Sequence, residues 1–208
     1  MLKSEFKIIN AFLFRPFDQL YGREIERLTS ITHSRAVAYL ASLVEAKILI
    51  SERRGNQVIY SVNPHNELTM KALSIAELER KTDFFNNKLV EKSILYRLVS
   101  ESLNQCPNLL YFVLLFGSFA RGQSRESSDL DILFVTAKNG NTKKKIEEIG
   151  KKLEASTGRK ISVHVVGLKE IEKRWSNEPI YKGIWDDRII LYGEDQFWNF
   201  ILNRGGYK

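Results

Sequence analysis

The stretch 112–135, FVLLFGSFARGQSRESSDLDILFV, constrains the fold more than any other part of the chain. Two apolar runs with strand character, 112–116 and 130–135, enclose a loop that opens with Gly117-Ser118 and closes with Asp129-Leu130-Asp131. Side chains alternate along a strand, so Asp129 and Asp131 emerge on one face with their Cα atoms about 6.6 Å apart. Carboxylates so placed can share one or two divalent metal ions, a pair being roughly 3.5–4 Å apart. Leu130, Ile132 and Phe134 then point to the core and set the register. At the other end of the loop, Gly117 lets the backbone approach a phosphate and Ser118 can hydrogen-bond it.

Other phosphate loops do not fit these residues. Gly117 and Gly122 have the four-residue gap of a Walker loop, but Gln123-Ser124 stands where Lys-Ser/Thr is required. A dinucleotide fingerprint fails for lack of its three glycines.

What does fit is a family signature. The passage G-S-F-A-R-G…S-S-D-L-D-I-L-F-V resembles that of the nucleotidyltransferase superfamily that includes DNA polymerase β, and most closely its minimal nucleotidyltransferases. The similarity covers about residues 88–200. It implies a mixed, antiparallel-containing sheet flanked by helices, and transfer of a nucleoside monophosphate from a Mg²⁺-bound NTP to a hydroxyl, with Mn²⁺ as an alternative metal. It also implies that Gly117 and Ser118 hold the triphosphate, that Arg121 supports it, and that Asp129 and Asp131 bind metal and carry catalysis. In the family a third carboxylate arrives on a later strand. The expected strand here is 161–166, after a helix carrying Ile146, Ile149 and Leu153, and its polar positions are Ser162 and His164. Neither is an acid. A histidine can bind Mn²⁺ or Zn²⁺ but is a poor Mg²⁺ ligand; the alternative is a polar residue on a strand edge. Glu170, Asp186 or Asp187 can be recruited from elsewhere in the chain, although spacing does not place them at the site.

Residues 1–64 read differently. Phe6, Ile9, Phe12 and Leu13 recur at helical spacing until Pro16, and Ile25 and Leu28 suggest a second, short helix. Thr32 stands as N-cap of a third, with Val37, Leu40, Leu43 and Val44 on one face and His33, Ser34, Arg35, Ala38, Tyr39 and Ser42 on the other. Runs 48–50 and 58–60 then flank Arg53-Arg54-Gly55-Asn56, a basic hairpin. Three helices and a basic hairpin are the order of a winged helix-turn-helix, and 31–64 resembles the recognition helix and wing of prokaryotic transcriptional regulators, although Lys47 stands where these often carry glycine. The resemblance implies double-stranded DNA as partner, with His33, Ser34, Arg35 and Tyr39 towards bases and Arg53 and Arg54 on phosphates or in the minor groove. The alternative is a winged helix used for dimerisation or protein contact.

The expected organisation is therefore α+β in two domains: a winged helix-turn-helix over 1–64, a helical connector over 65–87 and a nucleotidyltransferase-type domain of mixed sheet and flanking helices over 88–208. Met70, Leu73, Ile75, Leu78, Phe84 and Phe85 pattern the first connecting helix, and Leu89, Ile94, Leu95, Leu98, Val99 and Leu103 the next. So apolar a connector suggests a homodimer contact. The net charge of +7 favours a polyanionic partner, the positive excess lying on either side of a neutral 65–108. The single cysteine, Cys106, excludes an internal disulfide and suits a reducing compartment; its expected role is a small apolar residue at a helix end. No apolar run reaches the roughly 18 residues of a membrane span, and the expectation is a cytoplasmic protein. Two functions compete: an enzyme moving a nucleotide to a hydroxyl, and a DNA-binding regulator whose second domain senses nucleotide or dimerises without catalysis. A third reading is an antitoxin-like chain with a toxin-like protein partner, since minimal nucleotidyltransferases are known in such pairs.

Overall fold

The computed structural model describes residues 3–123, 128–137 and 140–204. Residues 124–127 of the loop expected between Gly117 and Asp129 lie outside them. The chain divides into two compact units, one formed by Met1–Glu77 with Trp198–Gly206, the other by Leu78–Phe197.

In the first unit α1 (Lys3–Asn10), α2 (Gly22–Thr29) and α3 (His33–Glu45) pack over a three-stranded antiparallel sheet in the order β1 (Leu20–Tyr21), β3 (Gln57–Val62), β2 (Leu49–Arg54). Ile8, Ile9, Phe12, Leu13, Ile25, Leu40 and Leu43 are buried at its centre. Helix α1 ends six residues before Pro16, and the tight turns Ala11 N–H to Ile8 O (3.1 Å) and Phe12 N–H to Ile9 O (2.9 Å) carry Phe12 and Leu13 inward. Thr32 occupies the N-cap of α3, though its side chain makes no cap hydrogen bond. The buried stripe of α3 is Ala36, Leu40 and Leu43, whereas Val37 is 50% exposed. A one-residue rotation of the stripe keeps the 3.6 period and exchanges a large apolar side chain for a small one at the closest approach.

The hairpin is tighter than the sequence suggests. Arg54 pairs with Gln57, so Gly55 (φ +61°) and Asn56 alone form the turn, and Arg53 and Arg54 lie on strand β2. Lys47 takes φ +58°, the left-handed region that favours glycine. Its carbonyl accepts from the Asn63 and Asn66 amides, each at 2.9 Å.

The second unit is a four-stranded mixed sheet, order β6 (Ile161–Gly167), β5 (Leu130–Thr136), β4 (Leu110–Phe116), β7 (Ile189–Tyr192). β4 pairs antiparallel with β5 and β7, and β5 pairs parallel with β6. One face, with Val113, Leu115, Leu130, Ile132 and Phe134, packs with α5 (Leu89–Gln105) and α7 (Asn141–Thr157) through Leu95, Leu98, Ile146, Ile149 and Leu153. α7 lies so close to β6 that a Cβ on Gly150 would stand 2.8 Å from Val163 Cγ2. The opposite face is buried as well, at Phe112, Leu114, Leu133 and Val135. It is covered by α8 (Leu168–Arg174) and α9 (Pro179–Asp187), two short helices absent from the sequence reading, and by Phe197 of α10 (Glu194–Leu202), edge-on to Phe112 with centroids 5.4 Å apart. Arg174 ties α8 to the start of α9, bonding Glu170 at 2.5 Å and both oxygens of Glu178 at 2.5 and 2.9 Å.

Trp175, Trp185 and Trp198 are packing residues, each buried. Cys106 caps α5 and is buried, which pushes its thiol pKa up. The helix α4 spans Glu67–Phe85, with Leu68, Ile75 and Leu78 exposed. Leu89, expected within the apolar pattern of α5, is 70% exposed in the first turn of that helix, where no neighbouring turn covers it.

Candidate active site

The candidate site forms where β4 ends and β5 begins. Antiparallel pairing sets Phe116 opposite Asp131, so the chain leaves β4 directly beside that carboxylate. Gly117 then turns at φ +78°, and a Cβ there would stand 2.6 Å from Asp131 Oδ2. Both the left-handed backbone and the lack of space demand glycine. Ser118 and Phe119 continue into the single turn α6 (Gly117–Ala120), where buried Phe119 anchors the turn in the core. Backbone bonds of 3.1 Å from Arg121 N–H to Gly117 O, and from Gln123 N–H to Ser118 O, close the turn.

Asp131 is half-buried, and burial is the main reason its carboxyl pKa is raised; the neighbouring Asp129 pushes it further up. Opposing them are the neighbouring Ser162 hydroxyl and the fields of His164 and Arg121. Asp129 is exposed just before β5, its Oδ1 4.0 Å from Lys160 Nζ. The two carboxylates thus influence one another, as a cation-binding pair requires.

Parallel register sets Ser162 beside Asp131 and His164 beside Leu133. His164 Nε2 lies 3.1 Å from Ser162 Oγ, and its ring packs 5.6 Å from Phe116. A cavity of about 320 Å³ opens next to the site, with Phe116, Leu133 and His164 in its wall and Arg174 and Tyr181 across from them.

Arg121, expected to support a triphosphate, is ion-paired with Asp187 at the end of α9 and hydrogen-bonded to Gln123 Oε1 at 3.3 Å. Asp187 is the neighbour of Arg121 that spacing in the sequence does not place. Sixty-six residues separate it from Arg121, and only the packing of α9 against α6 brings the two together. The presence of an acid at a helix end was the sole local signal.

Among the described residues no group of three or more His, Cys, Asp or Glu side chains is arranged to hold a metal ion. The oxygen set of Asp129 and Asp131 nevertheless fits Mg²⁺ of the kind held by one or two carboxylates with the remaining positions left to phosphates and water.

Comparison with known proteins decides the ancestry. The family described as Nucleotidyltransferase domain matches residues 97–191, and a Methanocaldococcus jannaschii protein named "Putative protein adenylyltransferase" is 31% identical over 124 residues, covering 55% of this chain and 83% of that protein. The chain belongs to the nucleotidyltransferase family. Two solved structures are similar to about half of the chain. One, described as a toxin-antitoxin with AMP-PNP, has TM-score 0.35 and 20% identity, over 50% of this chain and 80% of its own. The other, a mutant of the MntA-HpeT toxin-antitoxin, has TM-score 0.34 and 21% identity, over 49% and 76%. The nucleotidyltransferase match begins inside α5, whose Leu98 and Val99 are part of the sheet's core, and ends within β7.

His33, Ser34 and Arg35 are exposed at the start of α3, and Tyr39 is partly covered one turn later. His33 Nδ1 lies 2.6 Å from Glu26 Oε1, and Arg54 Nε donates to Glu52 Oε1 at 3.2 Å. Arg53 Nε donates to Gly55 O at 3.2 Å, across the hairpin tip. Among the described residues no helix is long and apolar enough to cross a membrane.

Proposed function

We propose that this nucleotidyltransferase binds a Mg²⁺-bound NTP and transfers its nucleoside monophosphate to a hydroxyl acceptor. The observation that carries this reading is the approach of Gly117 to Asp131, where a Cβ would stand 2.6 Å from the carboxylate. It joins the phosphate turn to the acid pair in one small space. In this reading Gly117 and Ser118 cradle the triphosphate, Arg121 reaches it with the guanidinium donors not engaged by Asp187, and Asp129 with Asp131 holds the metal. The metal, Mg²⁺ or Mn²⁺, supplies charge stabilisation for in-line displacement when bound. The name of the archaeal relative supports ATP as donor and a protein hydroxyl as acceptor. Incubation with α-labelled NTP and either metal tests it: transfer is expected, and Asp129→Ala with Asp131→Ala abolishes it.

Residues 1–64 act, in the same proposal, as a winged helix-turn-helix that binds double-stranded DNA. Support comes from three helices followed by a hairpin with exposed Arg53 and Arg54, and from the exposed polar start of α3. The exposed Leu68, Ile75 and Leu78 of α4 support a homodimer that would read paired half-sites. A gel shift that weakens with salt, and weakens further in Arg53→Ala with Arg54→Ala, is the expected result; light scattering reports the dimer.

A second reading has its own observation. Ser162 and His164 stand on β6 where a third carboxylate is expected, which favours a DNA-binding regulator or antitoxin-like protein that keeps nucleotide binding and has lost transfer. NTP binding by calorimetry, without transfer to any acceptor under either metal, selects it.

A further inference from the structure

Ser162 lies beside Asp131 across the β5–β6 ladder, and its hydroxyl stands 3.1 Å from His164 Nε2. A hydroxyl at the strand position beside Asp131 lies next to any phosphate that the acid pair draws in. It also has a proton acceptor within hydrogen-bond distance, the arrangement by which a neutral hydroxyl becomes a nucleophile. β6 is the outer strand of the sheet; Ser162 is half-buried and His164 exposed, so the pair is open on the side away from β5. The face of β6 turned to α7 is filled by Val163 against Gly150, which leaves Ser162 on the site face alone.

We propose that Ser162 is itself an acceptor: the chain nucleotidylates its own Ser162. The inference rests on NTP binding at Asp129 and Asp131 as read above. Ser162 Oγ forms a bond to the α-phosphorus, the bond from that phosphorus to the oxygen bridging to the β-phosphate breaks, and pyrophosphate leaves. The hydroxyl proton passes to His164 Nε2, which requires the tautomer with that nitrogen free. The product is a phosphodiester between serine and nucleoside. It occupies the space beside Asp131, so the reaction stops at one nucleotide per chain and closes the site to further NTP.

The test uses the full chain with ATP labelled at the α-phosphate and Mg²⁺ or Mn²⁺, followed by intact mass and sequencing of the modified peptide. ATP affinity of the unreacted chain is measured by calorimetry in parallel. One nucleotide on Ser162 is expected, at a rate per chain independent of protein concentration, lost in Ser162→Ala and regained in Ser162→Thr, with ATP affinity retained in both. If Ser162→Ala does not fold, the peptide map of the natural chain decides. Label on another residue, or transfer only to an added acceptor, overturns the self-modification and leaves the transferase reading standing. No transfer to any hydroxyl overturns both.

Discussion

At the scale of single residues, Gly117 and Asp131 are bound to one another by space. Gly117→Ala forces a side chain into φ +78° and against Asp131 Oδ2. A loss of about 1–3 kcal/mol is expected from the backbone alone, read as a lower urea midpoint, together with loss of NTP affinity. Asp131 contributes in the opposite sense. Burial holds its folded pKa above the unfolded value, so its favourable contribution is complete below the unfolded pKa, about 3.9, and is lost as pH rises through the folded pKa. Asp131→Asn is therefore expected to raise the melting temperature at pH 7 without metal, with the difference vanishing at pH values below about 3.9. An Asn variant that melts lower than the natural chain at pH 7 would refute the account. The cost of an ionised Asp131 is what a bound cation relieves, so added Mg²⁺ should stabilise the natural chain more than the variant.

At the scale of elements, the site depends on α9 as much as on the strand-turn-strand that announces it. Asp187 holds one arm of Arg121 and Gln123 another, leaving donors for a phosphate. A planar guanidinium holds its donors in a rigid fork that spans separated acceptors; an ammonium presents its donors from one point on a flexible stem. Arg121→Lys is accordingly expected to weaken NTP binding about as much as Arg121→Ala, roughly tenfold or 1.4 kcal/mol, within the range of hydrogen bonds to charged groups. Calorimetric titration reads this, and a lysine variant binding like the natural chain would remove the positioning argument. Local pattern showed α5, α7 and the strands β4, β5 and β6 because each carries a long apolar stripe or run. It missed β1, which is two residues long and exists only by pairing with Tyr60 and Ile59. It missed α8 and α9 because helices of seven and nine residues, each with few buried positions, leave little periodicity to read.

At the scale of the molecule, the two compact units do not follow a single cut in the chain. Trp198–Gly206 belongs with Met1–Glu77, so the last element contributes to the N-terminal unit. Trp198 is fully buried, and Trp198→Ala is expected to cost about 3–5 kcal/mol. Hydrogen exchange should show the loss within residues 3–77, and protection there equal to that of the natural chain would contradict the division. A sequence read from one end to the other has no means of showing such a return, because it depends on which apolar surface the last helix finds. By itself the sequence determined the glycine turn, the paired aspartates and the alternation that puts them on one edge, since these are set by covalent geometry and strand period. It also determined that β6 would present Ser162 and His164 in place of an acid. Only the tertiary structure decided that Ser162 lies beside Asp131 while Asp187 reaches Arg121, because both juxtapositions join residues far apart in the chain through pairing and packing that no local pattern encodes.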